Sequence, residues 1–143
     1  MEVPRYDPVK FPHRDLTEKI IGCFYDVYNE LGFGFLESVY HAAMQVALGQ
    51  IGLQAESKCK VPVTFRGFQV GTFEPDMIVE GCVLLEFKAA DDLDNAHEAQ
   101  LLNYLKATPI ELGLLLNFGP KPKVRRMAFD NERKRSRPPI VVE

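Results

Sequence analysis

EPDMIVEGCVLLEFK, residues 74–88, holds two short apolar runs on either side of Glu80-Gly81. The runs DMIV (76–79) and CVLLEFK (82–88) read as two strands joined by a turn at that dipeptide. Val83-Leu84-Leu85 is apolar at consecutive positions, so the second strand is buried on both faces and belongs in the middle of a sheet. Glu86 and Lys88 are two residues apart and share one face of that strand, while Phe87 points the other way, into the core. A hairpin about Glu80-Gly81 brings Asp76 near Glu86.

Outward from this hairpin, the periodicity changes twice. Residues 57–65 alternate in part and read as one strand, Arg66-Gly67 as a tight turn, and residues 68–73 as a further strand. Upstream, Ile20, Ile21, Phe24, Val27, Tyr28 and Leu31 recur at helical spacing. They predict a helix over 15–31, capped by Asp15 or Thr17 and ended by Gly32 and Gly34. A second helix is predicted over 36–50, with Leu36, Val39, Tyr40, Ala43, Met44 and Ala47 on its apolar face and Gly52 stopping it. Downstream, residues 95–107 predict a third helix, broken at Thr108-Pro109. Residues 111–118 follow as a buried strand, and 123–129 alternate as a last edge strand. The order α-α-β-β-β-β-α-β-β is an α+β layout, with helices packed on a central mixed sheet. Residues 1–14, with Pro4, Pro8 and Pro12, read as an irregular lead-in, 15–129 as the domain, and 130–143 as a basic C-terminal tail.

Asp76, Glu86 and Lys88 put two carboxylates and an ammonium beside a very apolar run. Buried carboxylates need a compensating charge. Lys88 offsets one; a divalent cation such as Mg²⁺ or Mn²⁺ offsets both, and carboxylate oxygens suit it. Taken alone, D-x₉-E-x-K also describes a surface ion pair on an edge strand, but an exposed strand would not be apolar on both faces. Two other segments carry polar groups in a pattern. Gly34-Phe-Leu-Glu37-Ser-Val-Tyr40 places Glu37 in the first turn of the second helix, where the helix dipole favours an anion. In the third helix, His97, Gln100 and Tyr104 stand at i, i+3 and i+7, one stripe that can either face a reacting strand or be solvated. His97 also sits where a residue caps or packs at a helix start.

The chain's 143 residues and 46% apolar content fit one domain with a core that needs no staples. The 3 cysteines, Cys23, Cys59 and Cys82, form no C-x-x-C pair and read as reduced thiols packed as small apolar residues. The N-terminus lacks the apolar run of a signal peptide and no stretch reaches a membrane span, so the expectation is a soluble cytoplasmic protein. The net charge of −3 hides an asymmetry. Residues 1–120 hold 9 Lys+Arg and 17 Asp+Glu, net −8; residues 121–143 hold 8 and 3, net +5. The acidic body is a poor general attractor of phosphate backbones. The basic end fits either a nucleic-acid contact or a solvated tail.

YNELGFGFLESVY (28–40), EPDMIVEGCVLLEFKA (74–89), HEAQLLNYLKAT (97–108) and GLLLNFG (113–119) together resemble the GxxExxY protein family, a branch of the PD-(D/E)XK nuclease superfamily. The resemblance covers roughly residues 15–129. It implies a restriction-endonuclease-like core and a Mg²⁺- or Mn²⁺-dependent nuclease acting on phosphodiesters of DNA or RNA. It implies Asp76, Glu86 and Glu37 as metal ligands, Lys88 as the catalytic lysine, and Gln100 and Tyr104 as the Q-x-x-x-Y helix motif. The four cysteines of iron–sulfur relatives are missing, so that cofactor is not expected. A competing expectation is a non-catalytic module using the nuclease fold to bind nucleic acid or a protein. The small size also permits a homo-oligomer.

Overall fold

The apolar stripes of the first two helices face each other and the sheet. In the computed structural model, which describes residues 13–135, α1 (Arg14–Leu31) and α2 (Glu37–Gln50) pack as a helical hairpin. Ile20, Phe24 and Val27 of α1 and Tyr40, Met44 and Leu48 of α2 are buried together. Gly34, at φ 109°, makes the corner between them in a backbone conformation that a side chain would resist. The expected caps at Asp15 or Thr17 do not form. His13 holds the cap position without a side-chain bond, and the Thr17 hydroxyl, already inside the first turn, donates to the Arg14 carbonyl at 2.9 Å.

The remaining elements are β1 (Ala55–Ser57), β2 (Val61–Phe65), β3 (Phe68–Phe73), β4 (Met77–Val79), β5 (Val83–Lys88), α3 (Asn95–Ala107), β6 (Leu112–Phe118), β7 (Pro122–Ala128) and α4 (Asn131–Arg135). A five-stranded sheet runs β1-β4-β5-β6-β7, and β2 with β3 forms a separate ribbon. Only the β5–β6 pairing in the main sheet is parallel, so the sheet is mixed. The fold is the expected α+β arrangement, with the VLL strand at the sheet's centre and β7 at its edge. One expectation fails: residues 57–65 are not a single strand. Lys58 adopts φ 55°, which turns the chain out of the main sheet after Ser57 and starts the ribbon at Val61.

The alternation of β5 divides the interior. Leu85 and Phe87 join the cluster under α1 and α2, whereas Leu84 packs with Leu115 of β6 and Leu101 of α3 on the other face. Glu86 and Lys88 share the parity of Leu84 and therefore stand on the α3 face. Residues 1–12 of the expected lead-in and the tail beyond Arg135 lie outside the described residues. The described part of the expected tail is not loose. α4 is held by Lys134, whose ammonium donates to the Thr108 and Ile110 carbonyls at 2.6 and 2.8 Å, where the end of α3 leaves acceptors unpaired. The basic residues Lys123 and Arg125 of β7 are likewise paired, with Asp92 and Glu98. The three thiols are free; Cys23 is buried, and burial pushes all three above the usual thiol range. No helix among the described residues is long and apolar enough to cross a membrane.

Candidate active site

β4 and β5 pair antiparallel with Met77 opposite Leu85, so the next residues out, Asp76 and Glu86, meet across the strand ends. The Asp76 amide donates to Glu86 Oε1 at 3.3 Å. Asp76 Oδ2 in turn accepts from the Phe87 amide at 2.7 Å. Each carboxylate is thus oriented by the other strand's backbone. The Glu86 carboxyl is pushed up to about 8, first by burial and then by the Asp76 charge. A side-chain hydrogen bond to Asp76 raises it further, while the Asp76 amide and the Lys88 ammonium pull it partway back. Burial and the neighbouring Asp76 charge thus favour the protonated form of Glu86.

The third helix supplies the opposite wall. Glu86 and Lys88 line a small cavity of about 120 Å³ with Glu74, His97, Gln100 and Tyr104. The stripe at i, i+3 and i+7 therefore lines the cavity, with His97 and Tyr104 partly buried and Gln100 at its exposed mouth. Gln100 Nε2 donates to the Tyr104 hydroxyl at 3.2 Å. The Tyr104 ring stacks on Phe73 at the end of β3, with centroids 3.8 Å apart and planes 4° from parallel. His97 serves both roles open to it. It lines the cavity and closes a capping box, its amide donating to Asp94 Oδ1 at 2.9 Å and its Nδ1 accepting from the Asp94 amide at 3.3 Å.

Glu37 is not brought to this pair. It is exposed in the first turn of α2, and α2 packs on the opposite face of the sheet from α3. Among the described residues, no group of three or more His, Cys, Asp or Glu side chains is placed to share a metal. In the surrounding segment Gly34 and Tyr40 instead build the α1–α2 corner. The Tyr40 hydroxyl donates to the Gly32 carbonyl at 2.6 Å, and its ring stacks on Phe118. A larger groove, about 360 Å³, opens between α1 and α2; beside Asp26, Glu30 and Gln50 its lining is mostly apolar.

Two residues of the site region escaped the sequence reading. Glu74 lines the cavity beside the motif, and its place directly before Pro75-Asp76 was the available signal. Asn117 is fully buried at the end of β6 and clamps the loop after Lys88. Its Oδ1 accepts from the Ala90 amide and its Nδ2 donates to the Ala90 carbonyl, both at 3.0 Å. A buried amide inside an apolar strand, GLLLNF, is the sequence signal for such a clamp.

A family model of the PD-(D/E)XK nuclease superfamily matches residues 14–127. The chain belongs to that superfamily. The matched span runs from the start of α1 almost to the end of β7, so it takes in both faces of the sheet and the carboxylate hairpin. The solved structure of SSO0001 is similar in fold, with a TM-score of 0.50 at 18% identity. The alignment covers 85% of this chain and 61% of that one, so this PD-(D/E)XK chain spans less than two thirds of the solved protein's length. No curated protein is found to match it.

Proposed function

We propose that the protein is a metal-dependent nuclease, hydrolysing phosphodiester bonds of DNA or RNA at the cavity between β5 and α3. The observation that carries this reading is the Asp76–Glu86 pair. Two carboxylates in contact, one of them raised to about 8 by burial and by its neighbour, form a site of excess negative charge that a divalent cation relieves. The donors fit Mg²⁺ or Mn²⁺, hard cations usually held by one or two carboxylates together with substrate phosphates. Asp76 and Glu86 would hold the ion; Glu37, on the other face, is left out. Bound there, the ion supplies Lewis-acid polarisation of the scissile phosphate.

The chain's own groups do the rest. Lys88, on the same face as Glu86, orients the attacking water and stabilises the charge that develops on the phosphate oxygens. Gln100 and Tyr104, tied to each other and fixed by the Phe73 stack, position the substrate strand by hydrogen bonding. Asp76, Glu86 and Lys88 are also the residues that fit the D, E and K after which the superfamily is named.

The test is cleavage of labelled single- and double-stranded DNA and RNA with Mg²⁺ or Mn²⁺, against chelator. The wild type should cut in metal alone, and Lys88→Ala and Glu86→Gln should not. Cleavage that survives both substitutions would assign the activity elsewhere. A second reading is a non-catalytic module that binds nucleic acid or a protein partner; the net charge of −8 over residues 1–120 favours a protein partner over a phosphate backbone. Metal-independent binding with no cutting of any substrate would select it.

A further inference from the structure

The β2–β3 ribbon stands apart from the main sheet and carries the most exposed aromatic surface near the site. Its base is anchored: Val61, Val63 and Phe73 pack against Leu101 and Tyr104 on α3. Its tip is closed by Arg66 (φ 51°) and Gly67 (φ 80°), two left-handed residues that suit a two-residue hairpin turn. Phe65 and Phe68 are direct cross-strand partners at that tip. The register shifts between Val63 and Thr64 because β3 carries one extra residue there, Val70; Phe65 and Phe68 pair beyond it, at the ribbon's tip and past the anchored base. There Phe65 is 54%, Phe68 75% and Val70 62% exposed. Apolar side chains aligned at this exposure mark a contact surface.

The charge on the ribbon indicates the partner. Residues 58–73 contain Lys58, Lys60 and Arg66 and not one Asp or Glu, in a body that is otherwise strongly acidic. The Arg66 guanidinium lies 4.8 Å from the Phe65 ring centroid, a cation held beside an aromatic face. The ribbon also leads directly into the candidate site, with Phe73 three residues before Asp76 and stacked on Tyr104. Aromatic faces interleaved with cations, and no acids, are the chemistry that holds unpaired bases and their phosphates; a duplex hides its base faces.

We propose that the β2–β3 hairpin is an arm for single-stranded polynucleotide, with Phe65 and Phe68 stacking on unpaired bases and Lys58, Lys60 and Arg66 meeting phosphates. This rests on the nuclease reading of Asp76 and Glu86 and narrows its substrate to single strands or unpaired ends. The arm guides such a strand toward the cavity at its foot.

The experiment is fluorescence anisotropy with the full chain, in chelator to prevent cutting. The probes are a short labelled oligodeoxynucleotide, the matching oligoribonucleotide and their duplex forms. The double variant Phe65→Ala/Phe68→Ala should weaken single-strand binding roughly tenfold or more and leave duplex binding within about twofold. Phe65→Trp/Phe68→Trp should restore it. Both side chains are exposed, so unchanged melting temperatures should accompany the loss. Equal affinity of the alanine variant and the wild type, or a wild type that binds neither single strand, overturns the proposal. So does light scattering that shows a wild-type dimer and an alanine-variant monomer, because the tip would then be a self-association surface. Asp76→Asn separates the two readings: it should bind single strands at least as tightly as wild type while cutting nothing. A wild type that binds through the two phenylalanines yet cuts nothing in Mg²⁺ or Mn²⁺ upholds the arm and rejects the nuclease.

Discussion

Asp76 and Glu86 hold each other from opposite strands: the Asp76 amide donates to Glu86 Oε1 at 3.3 Å, and Asp76 Oδ2 accepts the amide of Phe87, the residue after Glu86, at 2.7 Å. The arrangement fixes two like charges side by side. Backbone amides can orient a carboxylate, but only a proton or a cation removes its excess charge. The site is therefore built to take up one or the other.

The pH dependence of the metal-free protein should reveal that choice. Burial and the Asp76 charge raise Glu86 from 4.5 to about 8. The folded state then binds more protons than the unfolded state between those values. Its stabilising contribution is full below the unfolded value and is lost as pH rises through the folded one. Urea midpoints in chelator should fall for the wild type as pH rises through this window. Glu86→Gln, neutral throughout, should show a flatter profile. Parallel profiles would mean that Glu86 is not raised.

Metal should reverse the trend, since it requires the deprotonated carboxylate. Below pH about 8, Mn²⁺ binding should release protons, and affinity should strengthen as pH rises. Calorimetry in two buffers of different ionisation enthalpy measures the released protons directly. Heats that do not depend on the buffer would exclude Glu86 as a ligand that must lose a proton.

Asp76→Asn should be as stable as the wild type in chelator, or more so. The substituted amide keeps an oxygen for the Phe87 amide while the charge that repels Glu86 is gone. With Mn²⁺ the wild type should gain RT ln(1 + [L]/Kd), about 2.7 kcal/mol at a hundredfold excess over Kd. The variant should lose most of that gain, along with cleavage. Equal metal-induced melting shifts in the two proteins would show that Asp76 does not hold the ion. Leu85→Ala, a fully buried core change, should instead cost about 2–5 kcal/mol with or without metal.

Tyr104 offers a way to separate chemistry from packing. Its ring stacks on Phe73 and its hydroxyl accepts from Gln100 Nε2 at 3.2 Å. Tyr104→Phe preserves the stack, so it should change stability by less than about 1 kcal/mol. It should nonetheless lower kcat if the hydroxyl positions the substrate strand. Phe73→Ala removes the stacking partner and should cost about 3–5 kcal/mol. Unaltered kcat in Tyr104→Phe would leave the tyrosine as a packing residue.

How much of this was legible depended on the kind of signal. Helix α3 matched its predicted span, 95–107, because the Asp94 cap and Thr108-Pro109 mark both ends locally. The central place of β5 was legible in Val83-Leu84-Leu85, since only a strand covered on both faces tolerates that run. The break at Lys58 was not, because a left-handed lysine leaves no mark of its own, unlike a glycine. The place of Glu37, apart from the Asp76–Glu86 pair, was hidden for a different reason. A carboxylate in the first turn of a helix is a local preference, and nothing local says on which face of the sheet that helix packs. The docking of Lys134 onto the end of α3 was equally invisible, because the two carbonyls it reaches there, of Thr108 and Ile110, are more than twenty residues away.

The clamp at Asn117 yields the last prediction. Asn117 is fully buried and spends both ends of its amide on Ala90, two residues beyond Lys88. Next to it, Gly119 comes so close to the same loop that an added Cβ would lie 2.2 Å from the Ala90 carbonyl oxygen. The chain therefore leaves β5 along a path dictated by the end of β6, directly after Lys88, whose register partner across the two strands is Asn117 itself. Asn117→Ala strips a partner from the Ala90 amide and carbonyl, and should cost about 2–4 kcal/mol. Asp76 and Glu86 lie before the clamp and are held by β4 and β5 themselves, so the Mn²⁺-induced melting shift should persist. If Lys88 acts on the transition state as proposed, cleavage by Asn117→Ala, assayed well below its melting temperature, should drop in kcat with KM little changed. Gly119→Ala should do the same through the clash with Ala90. If either variant keeps wild-type kcat while losing stability, the clamp supports the fold without positioning Lys88.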